Sequence, residues 1–261
     1  MTEPVRIADR DQVRWIELQR PESRNALTVD TNRQLIAALE GASAAGARAV
    51  VLAGANGHFC SGLDLKEAMR GGPRSPAELE RDMRACFHGL IRAVRAVEAP
   101  VVAAVDGPAI GFGCDLALAC DLRVVTERAT FGEIFVKRGL MPDGGGTFSL
   151  PRLIGVGRAL ELMFTGDVVS GVRAVEIGLA NRLLPLEGFT RAVWRLATQL
   201  AKGPPLVMRR IKRAVYESLS GHLDAALERE AEGQLQLLQS ADFVEGVSAF
   251  LQKREPSFRG K

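Results

Sequence analysis

Three short apolar runs constrain this chain more than any other feature. RAVVLAG (48–54), PVVAAVDG (100–107) and LRVVT (122–126) are continuous rather than alternating, and turn residues bound them. Runs of that length fit strands covered on both faces. Segments of helical period lie between them, and that alternation predicts an α/β architecture. An earlier β-rich run, VRWIELQ (13–19), is stopped by Pro21, Ser23 and Asn25. A helix is expected from about Thr28, whose hydroxyl can cap it, with Leu35 and Leu39 one turn apart on its apolar face.

Strand signals stop near residue 188. Phe189, Val193, Leu196 and Leu200 repeat at helical spacing, as do Met208, Ile211, Val215 and Leu219, and then Leu223, Leu227, Ala231, Leu235 and Leu238. Asp242 followed by Glu245 reads as the start of a last helix carrying Phe243, Val247 and Phe250. The expected organisation is a core over 1–188 and a helical region over 189–261, whose stripes serve internal packing or cover a neighbouring subunit. GGPRSP (71–76) is the expected mobile loop.

Composition removes several function classes. With 34 basic and 31 acidic residues spread through the chain, no nucleic-acid partner is expected. The longest apolar windows, such as APVVAAVDGPAIG, are interrupted well short of the ~18 to 20 residues a membrane span needs. MTEPVRIADRDQ has charges of both signs and no apolar segment, unlike a secretory signal. A cytoplasmic protein with no membrane partner is expected. Cys60, Cys86, Cys114 and Cys120 form no C-x-x-C pair and read as buried free thiols, so no metal site is expected.

Two glycine-containing turns are candidates for chemistry. HFCSGLDL (58–65) follows the strand ending at Ala53, and GPAIGFGCDLALAC (107–120) follows the strand ending at Asp106. The second opens a helix, leaving the Phe112 and Gly113 N–H groups as donors at its positive end. Two such turns brought together could aim two backbone N–H groups at one oxygen, which is what an oxyanion hole does. Two tight turns with no ligand is the plainer alternative. Gly111-Phe-Gly113 lacks the third glycine of a dinucleotide fingerprint, since residue 116 is Leu. Ser61 is not in G-x-S-x-G, and nothing sets an Asp behind His58 or His88. Asp143 stands between Pro142 and three glycines, where a short acid is usually a turn-former.

In combination these segments resemble the enoyl-CoA hydratase/isomerase (crotonase) family. The likeness is carried by RPESRNALT (20–28), VVLAGANGHFCSGLDL (50–65), APVVAAVDGPAIGFGCDLALACDLRV (99–124), FGEIFVKRGLMPDGGGTFSLPRLIG (131–155), FTGDVVSGVRAVEIGLANRL (164–183) and EGVSAFLQKREPSFRGK (245–261). It implies a spiral of ββα units with a C-terminal helical trimerisation region, assembled as a homotrimer or as a hexamer of paired trimers. It also implies an acyl-CoA thioester as substrate and no cofactor. The thioester oxygen would lie between the Leu63 and Phe112 amides, with Gly62, Gly111 and Phe135 among the substrate-binding residues. Arg24, Ala26, Ser61, Asp64 and Leu65 would line the CoA nucleotide, and Phe250 and Lys253 would reach the CoA of a neighbouring subunit. Family members commonly have Gly where this chain has Phe112, so that side chain would narrow the acyl pocket.

Departures from the family pattern point to the reaction. Family hydratases use two glutamates to activate water and protonate carbon. Their positions here hold Asp115 and Phe135, and a phenyl ring exchanges no proton. Family isomerases carry a functional Asp in the register of Asp143, and one base suffices to move a proton between two carbons. SADFVEGVSAFLQKR (240–254) also resembles the isomerases that rearrange a ring epoxide in phenylacetate breakdown. The expected activity is therefore acyl-CoA isomerisation, shifting a double bond or rearranging a ring epoxide. The alternative is hydration using Asp115 and Asp143. A minor one is an aryl-CoA dehalogenase-like enzyme, because His88 stands twelve residues before Pro100, as the catalytic His does there. A non-catalytic acyl-CoA-binding or RNA-binding member is the rival from another class. Otherwise His88 is a helix-face residue near the pocket.

Overall fold

The computed structural model describes residues 3–70, 72 and 74–261. Among the described residues nine strands run in chain order: β1 (Val5–Arg10), β2 (Val13–Leu18), β3 (Ala49–Gly54), β4 (Val101–Val105), β5 (Pro108–Ile110), β6 (Leu122–Val125), β7 (Thr130–Gly132), β8 (Val168–Ser170) and β9 (Arg182–Leu183). The helices of the first half are α1 (Val29–Glu40), α2 (Leu65–Arg70), α3 (Pro76–Asp82), α4 (His88–Ala96) and α5 (Phe112–Ala119). Those of the second half are α6 (Gly146–Ile154), α7 (Val156–Thr165), α8 (Gly171–Glu176), α9 (Phe189–Ala201), α10 (Pro205–Ser218), α11 (Leu223–Leu237) and α12 (Ala241–Gln252).

Six strands form one sheet in the order β1-β2-β3-β4-β6-β9. Every neighbouring pair is parallel except β1 and β2. The apolar runs read from the sequence are its centre: β3 is buried except for its last residue and β4 throughout. Successive side chains point to opposite faces of a strand. Val50 and Leu52 therefore join Val101, Ala103 and Val105 in a core with Leu35, Leu39, Leu90 and Leu116. Val51, Ala53, Val102 and Ala104 face the other way, onto Phe189, Val193, Leu196 and Ala197 of α9. The boundary drawn at 188–189 thus falls at the start of a helix that lies on the sheet. A second sheet, β5-β7-β8, extends beyond the end of β4.

Some details differ from expectation. Thr28 caps α1 as expected, accepting from Thr31 N. The last helix, however, is capped by Ser240, which accepts from Phe243 N. Asp242 is instead buried, and its two oxygens take the N–H groups of Arg259 (2.6 Å) and Gly260 (2.8 Å), so it ties down the C-terminal tail. Gly71 and Pro73, in the loop expected to be mobile, lie outside the described residues. All four cysteines are buried and free. Among the described residues no helix is long and apolar enough to cross a membrane.

One acid joins α10 to the sheet. Asp121 accepts from Val101 N (2.7 Å) and the Tyr216 hydroxyl (2.6 Å), and pairs with Lys212 Nζ (2.8 Å). Burial pushes the Tyr216 hydroxyl above its ordinary range, and the Asp121 charge adds to this. Removing this acceptor strands the Val101 N–H and the Tyr216 hydroxyl and leaves Lys212 only the Ala99 carbonyl. Asp121→Ala is expected to lower unfolding stability by about 3 kcal/mol, measured by urea denaturation, with proteolytic cuts appearing first around α10.

Candidate active site

Two backbone segments lie against each other at one end of the sheet. A bridge between Cys60 and Ala109 carries the contact: Cys60 N donates to Pro108 O (3.0 Å), and Ile110 N donates to Cys60 O (2.9 Å). A second bridge joins Leu27 to Leu63, with Leu27 N on Gly62 O (2.7 Å) and Asp64 N on Leu27 O (2.9 Å). The approach leaves no room for side chains. A Cβ on Gly62, where φ is +90°, would sit 2.8 Å from Ile110 O and 3.4 Å from Phe112 N. A Cβ on Gly113 would run into the Cys60 carbonyl. Gly111 turns the chain into α5 with φ of 56°.

Leu63 and Phe112 are thereby brought side by side. Among the described residues, neither N–H is engaged in a hydrogen bond. The Phe112 N–H also opens α5, whose helix dipole favours negative charge at that end. Two unspent backbone donors in adjacent turns are able to hold one anionic oxygen. The Phe112 side chain is buried, edge-to-face on Phe87 with ring centroids 5.2 Å apart, so part of its bulk is absorbed by packing.

Carboxylates gather beside these donors. Asp115 is 1% exposed on the first turns of α5, and its Oδ2 accepts from Gly144 N at 2.9 Å. That bond fastens the loop carrying Asp143, which is half-buried. Of the three glycines, only Gly145 has positive φ. Gly144 and Gly146 are small because of what they touch. A Cβ on Gly144 would lie 2.7 Å from Asp115 Oδ2 and 2.8 Å from Phe112 Cε2, and one on Gly146 would strike Asp115 Oδ1. Asp143 is therefore held by packing as well as by turn geometry. Phe135 is buried, with its ring tip 3.9 Å from where a side chain on Gly111 would begin.

Glu133 was not among the residues expected here. It is 3% exposed, directly follows β7, and both its carboxyl oxygens lack a hydrogen-bond partner among the described residues. Burial raises it to about 7; the Cys114 thiol beside it works downward and the Asp143 charge upward. Burial, followed by the Glu133 charge, holds Asp115 well above the usual carboxylate range, against the pull of the Gly144 N–H. Asp143 is also raised by burial, while the neighbouring His88 pulls it down.

The remaining expected residues divide. His88 faces Asp143 from the start of α4. Ser61 donates its hydroxyl to Ser23 O (3.1 Å) and its N–H to Arg24 O (3.1 Å), so it braces the turn and is not aimed at a histidine. Arg24 is exposed, in left-handed backbone, and Ala26 is buried beside Leu27. Asp64 is paired with Arg20 (3.0 Å) and accepts from Glu67 N (3.1 Å). Its burial pushes upward, but those bonds prevail and hold it below the usual range. Leu65 is exposed at the start of α2. Phe250 and Lys253 do not join this cluster within the chain. Phe250 is 81% exposed beside a groove lined by Pro204, Val207, Val247 and Phe258, and Lys253 ends α12 with φ of 53°. No group of His, Cys, Asp and Glu suited to a metal ion occurs among the described residues.

Comparison with known proteins follows the same lines. A family model for enoyl-CoA hydratase/isomerase matches residues 9–261. A probable enoyl-CoA hydratase of Rhodobacter capsulatus is 41% identical over 247 residues, covering 94% of both chains. The 1,2-epoxyphenylacetyl-CoA isomerase of Escherichia coli is 36% identical over 251 residues, covering 95% of both. Among solved structures, an enoyl-CoA hydratase from Bacillus anthracis superposes with a TM-score of 0.94 at 32% identity, covering 99% of this chain and 100% of that one.

The buried Glu133 makes a stability prediction. Its carboxyl ionises less readily folded than unfolded, so the folded state binds more protons between the ordinary value of 4.5 and about 7, and stability falls as pH rises through that window. Glu133→Gln removes the penalty. Between pH 4 and pH 8 the stability difference should move in the variant's favour by up to about 3 kcal/mol, read by urea unfolding at each pH.

Proposed function

The chain belongs to the enoyl-CoA hydratase/isomerase family, whose members act on acyl-CoA thioesters, and we propose that within it this protein is an isomerase. The observation that carries this reading is the pairing of Phe135 with Asp143. A phenyl ring stands where a hydratase has its second glutamate, and of the three carboxyls gathered near these turns Asp143 is the one that is only half-buried. Asp115 supports the same reading, because its burial and its bond to Gly144 N give it the work of holding the loop.

In this mechanism the Leu63 and Phe112 N–H groups bind the thioester oxygen. Asp143, ionised, removes a proton from one carbon of the acyl group, and the electron pair moves onto the carbonyl oxygen to form an enolate. Each preorganised donor lowers the barrier by about 3 to 4 kcal/mol. The enolate collapses as Asp143 returns the same proton to another carbon, so the double bond moves and nothing is gained or lost. For a ring epoxide whose nearer carbon is β to the thioester carbonyl, the same enolate collapses by breaking that C–O bond, and the oxygen leaves with the electron pair and takes the proton held by Asp143. Arg24, Ser61, Asp64 and Leu65 border the path to the CoA nucleotide in this reading, and His88 sets the charge around Asp143.

Hydration is the second reading, and one observation favours it: Asp115 and Asp143 are both raised acids on adjoining segments. The 41% identical relative named a probable hydratase points the same way. Crotonyl-CoA in oxygen-labelled water separates the two, since only hydration puts solvent oxygen into the product. Asp143→Asn is expected to slow isomerisation of a 3-enoyl-CoA by about 10²- to 10⁴-fold with little change in KM. Retained turnover in that variant would refute the assignment.

Assembly belongs to this reading as well. Leu223 (72% exposed), Phe250 and Leu251 (73%) lie on the helices after α9 that carry apolar stripes without partners inside the chain. Exposed apolar surface on that scale marks an interface. A homotrimer, or a hexamer of two, would cover it and bring Phe250 and Lys253 of one copy toward the acyl-CoA of the next. Sedimentation should give three or six times the 28.1 kDa chain mass. A monomer at micromolar concentration would overturn the proposed assembly.

A further inference from the structure

Among the described residues three buried carboxyl oxygens that face one point have no N–H or O–H donor, and the Cys114 thiol is the donor beside them. The three are Asp115 Oδ1 and both oxygens of Glu133. A Cβ built on Gly146 would strike Asp115 Oδ1 while lying 3.1 and 3.2 Å from the Glu133 oxygens, so the two carboxyls converge on the face of that glycine. Two ionised carboxylates facing one buried point repel each other, and a buried oxygen without a strong donor is costly. A single proton removes both difficulties. Asp115 has Oδ2 occupied by the Gly144 N–H, which leaves Oδ1 as the atom to carry it.

We propose that Asp115 and Glu133 act as one proton-sharing pair, Asp115 Oδ1–H donating and Glu133 accepting, so that a single negative charge set behind Asp143 strengthens it as a base. Glu133 is on this account a positioning residue, acting through Asp115 and never touching substrate. The titratable groups facing the pair are Cys114 from α5, Asp143 from the loop before α6 and, beyond Asp143, His88 from α4. Burial, followed by the Glu133 charge, drives the Cys114 thiol far up, so it stays neutral. The directions fit the arrangement: Asp115 is held well above the carboxylate range and Glu133 is raised to about 7. Below that pH the pair holds two protons and is neutral. Above it the pair keeps one proton and takes on the charge, with the proton residing on Asp115.

The loop stays fastened whichever charge the pair carries. A protonated Asp115 still accepts from Gly144 N through Oδ2, so Asp143 keeps its position across the titration.

The proposal rests on Asp143 being the base, and the test has one arm that does not. Infrared spectra of the ligand-free protein at pH 8 should show the C=O band of a buried protonated carboxyl, absent from Asp115→Asn. No such band in the wild type would overturn the pair whatever the reaction is. In the second arm, the pH profile of kcat/KM should have a step near pH 7 in addition to the ionisation of Asp143. Glu133→Gln should abolish that step and run about three- to tenfold slower above pH 7, with KM unchanged and the wild-type rate at pH 6. A profile for Glu133→Gln that superposes on the wild type would overturn the role of Glu133. If the band is present but Asp143→Asn remains active, the pair stands and the isomerase reading fails.

Discussion

The bridge between Cys60 and Ala109 is the contact on which the site depends. It fixes the distance between two backbone turns. The turns come from the ends of β3 and β4, adjacent parallel strands that leave the sheet at the same edge. Because the two donors are main-chain N–H groups, their positions follow from the backbone path and not from any rotamer. Gly62 and Gly113 are the requirement this path makes of the sequence, since any side chain at either would push the segments apart.

The same parallel arrangement accounts for what could be read of the fold from residues alone. β3 and β4 were legible because burial on both faces leaves an unbroken apolar run. β1 was not: it is an edge strand whose last five residues are exposed, and VRIADR carries the charges such a position allows. β5, β7 and β8 are three residues each, too short for any period to register. Helical stripes were legible as stripes, but their destinations were not. Phe189 and Val193 go into the sheet's second core, while Leu223 and Phe250 face outward, and periodicity reads alike for both. Asp242 shows the limit at single-residue scale: a first-turn acid resembles a helix start, and only the fold reveals the tail it holds.

Site residues were legible in proportion to how far they depend on backbone. The two glycine turns and the position of Asp143 follow from local sequence and from the register of a family pattern. Glu133 had no comparable signal. An acid after a short strand is ordinarily solvated, and its burial depends on α5 and on the glycines before α6, which lie in separate parts of the chain. One clue was present. GGG supplies more glycine than a single positive-φ turn needs, and the surplus at 144 and 146 is room for carboxyl groups.

Phe135 then acquires a physical reason beyond the loss of an acid. Asp115, Glu133 and Asp143 already concentrate three carboxyls around one loop: the Glu133 and Asp143 charges raise Asp115, and the Asp143 charge raises Glu133. A fourth at position 135, itself buried, would have to stay protonated or displace one of the others outward. Glutamate at 135 and glutamate at 133 are therefore competing ways to place charge near the same pocket. On the isomerase reading, a chain that keeps Glu133 behind Asp143 sets its negative charge behind the base and carries a neutral ring at 135. That ring borders Gly111. Proton transfer between carbons needs water kept out, whereas hydration needs it brought in. The placement of one phenyl and one hidden carboxyl thus bears on both requirements at once.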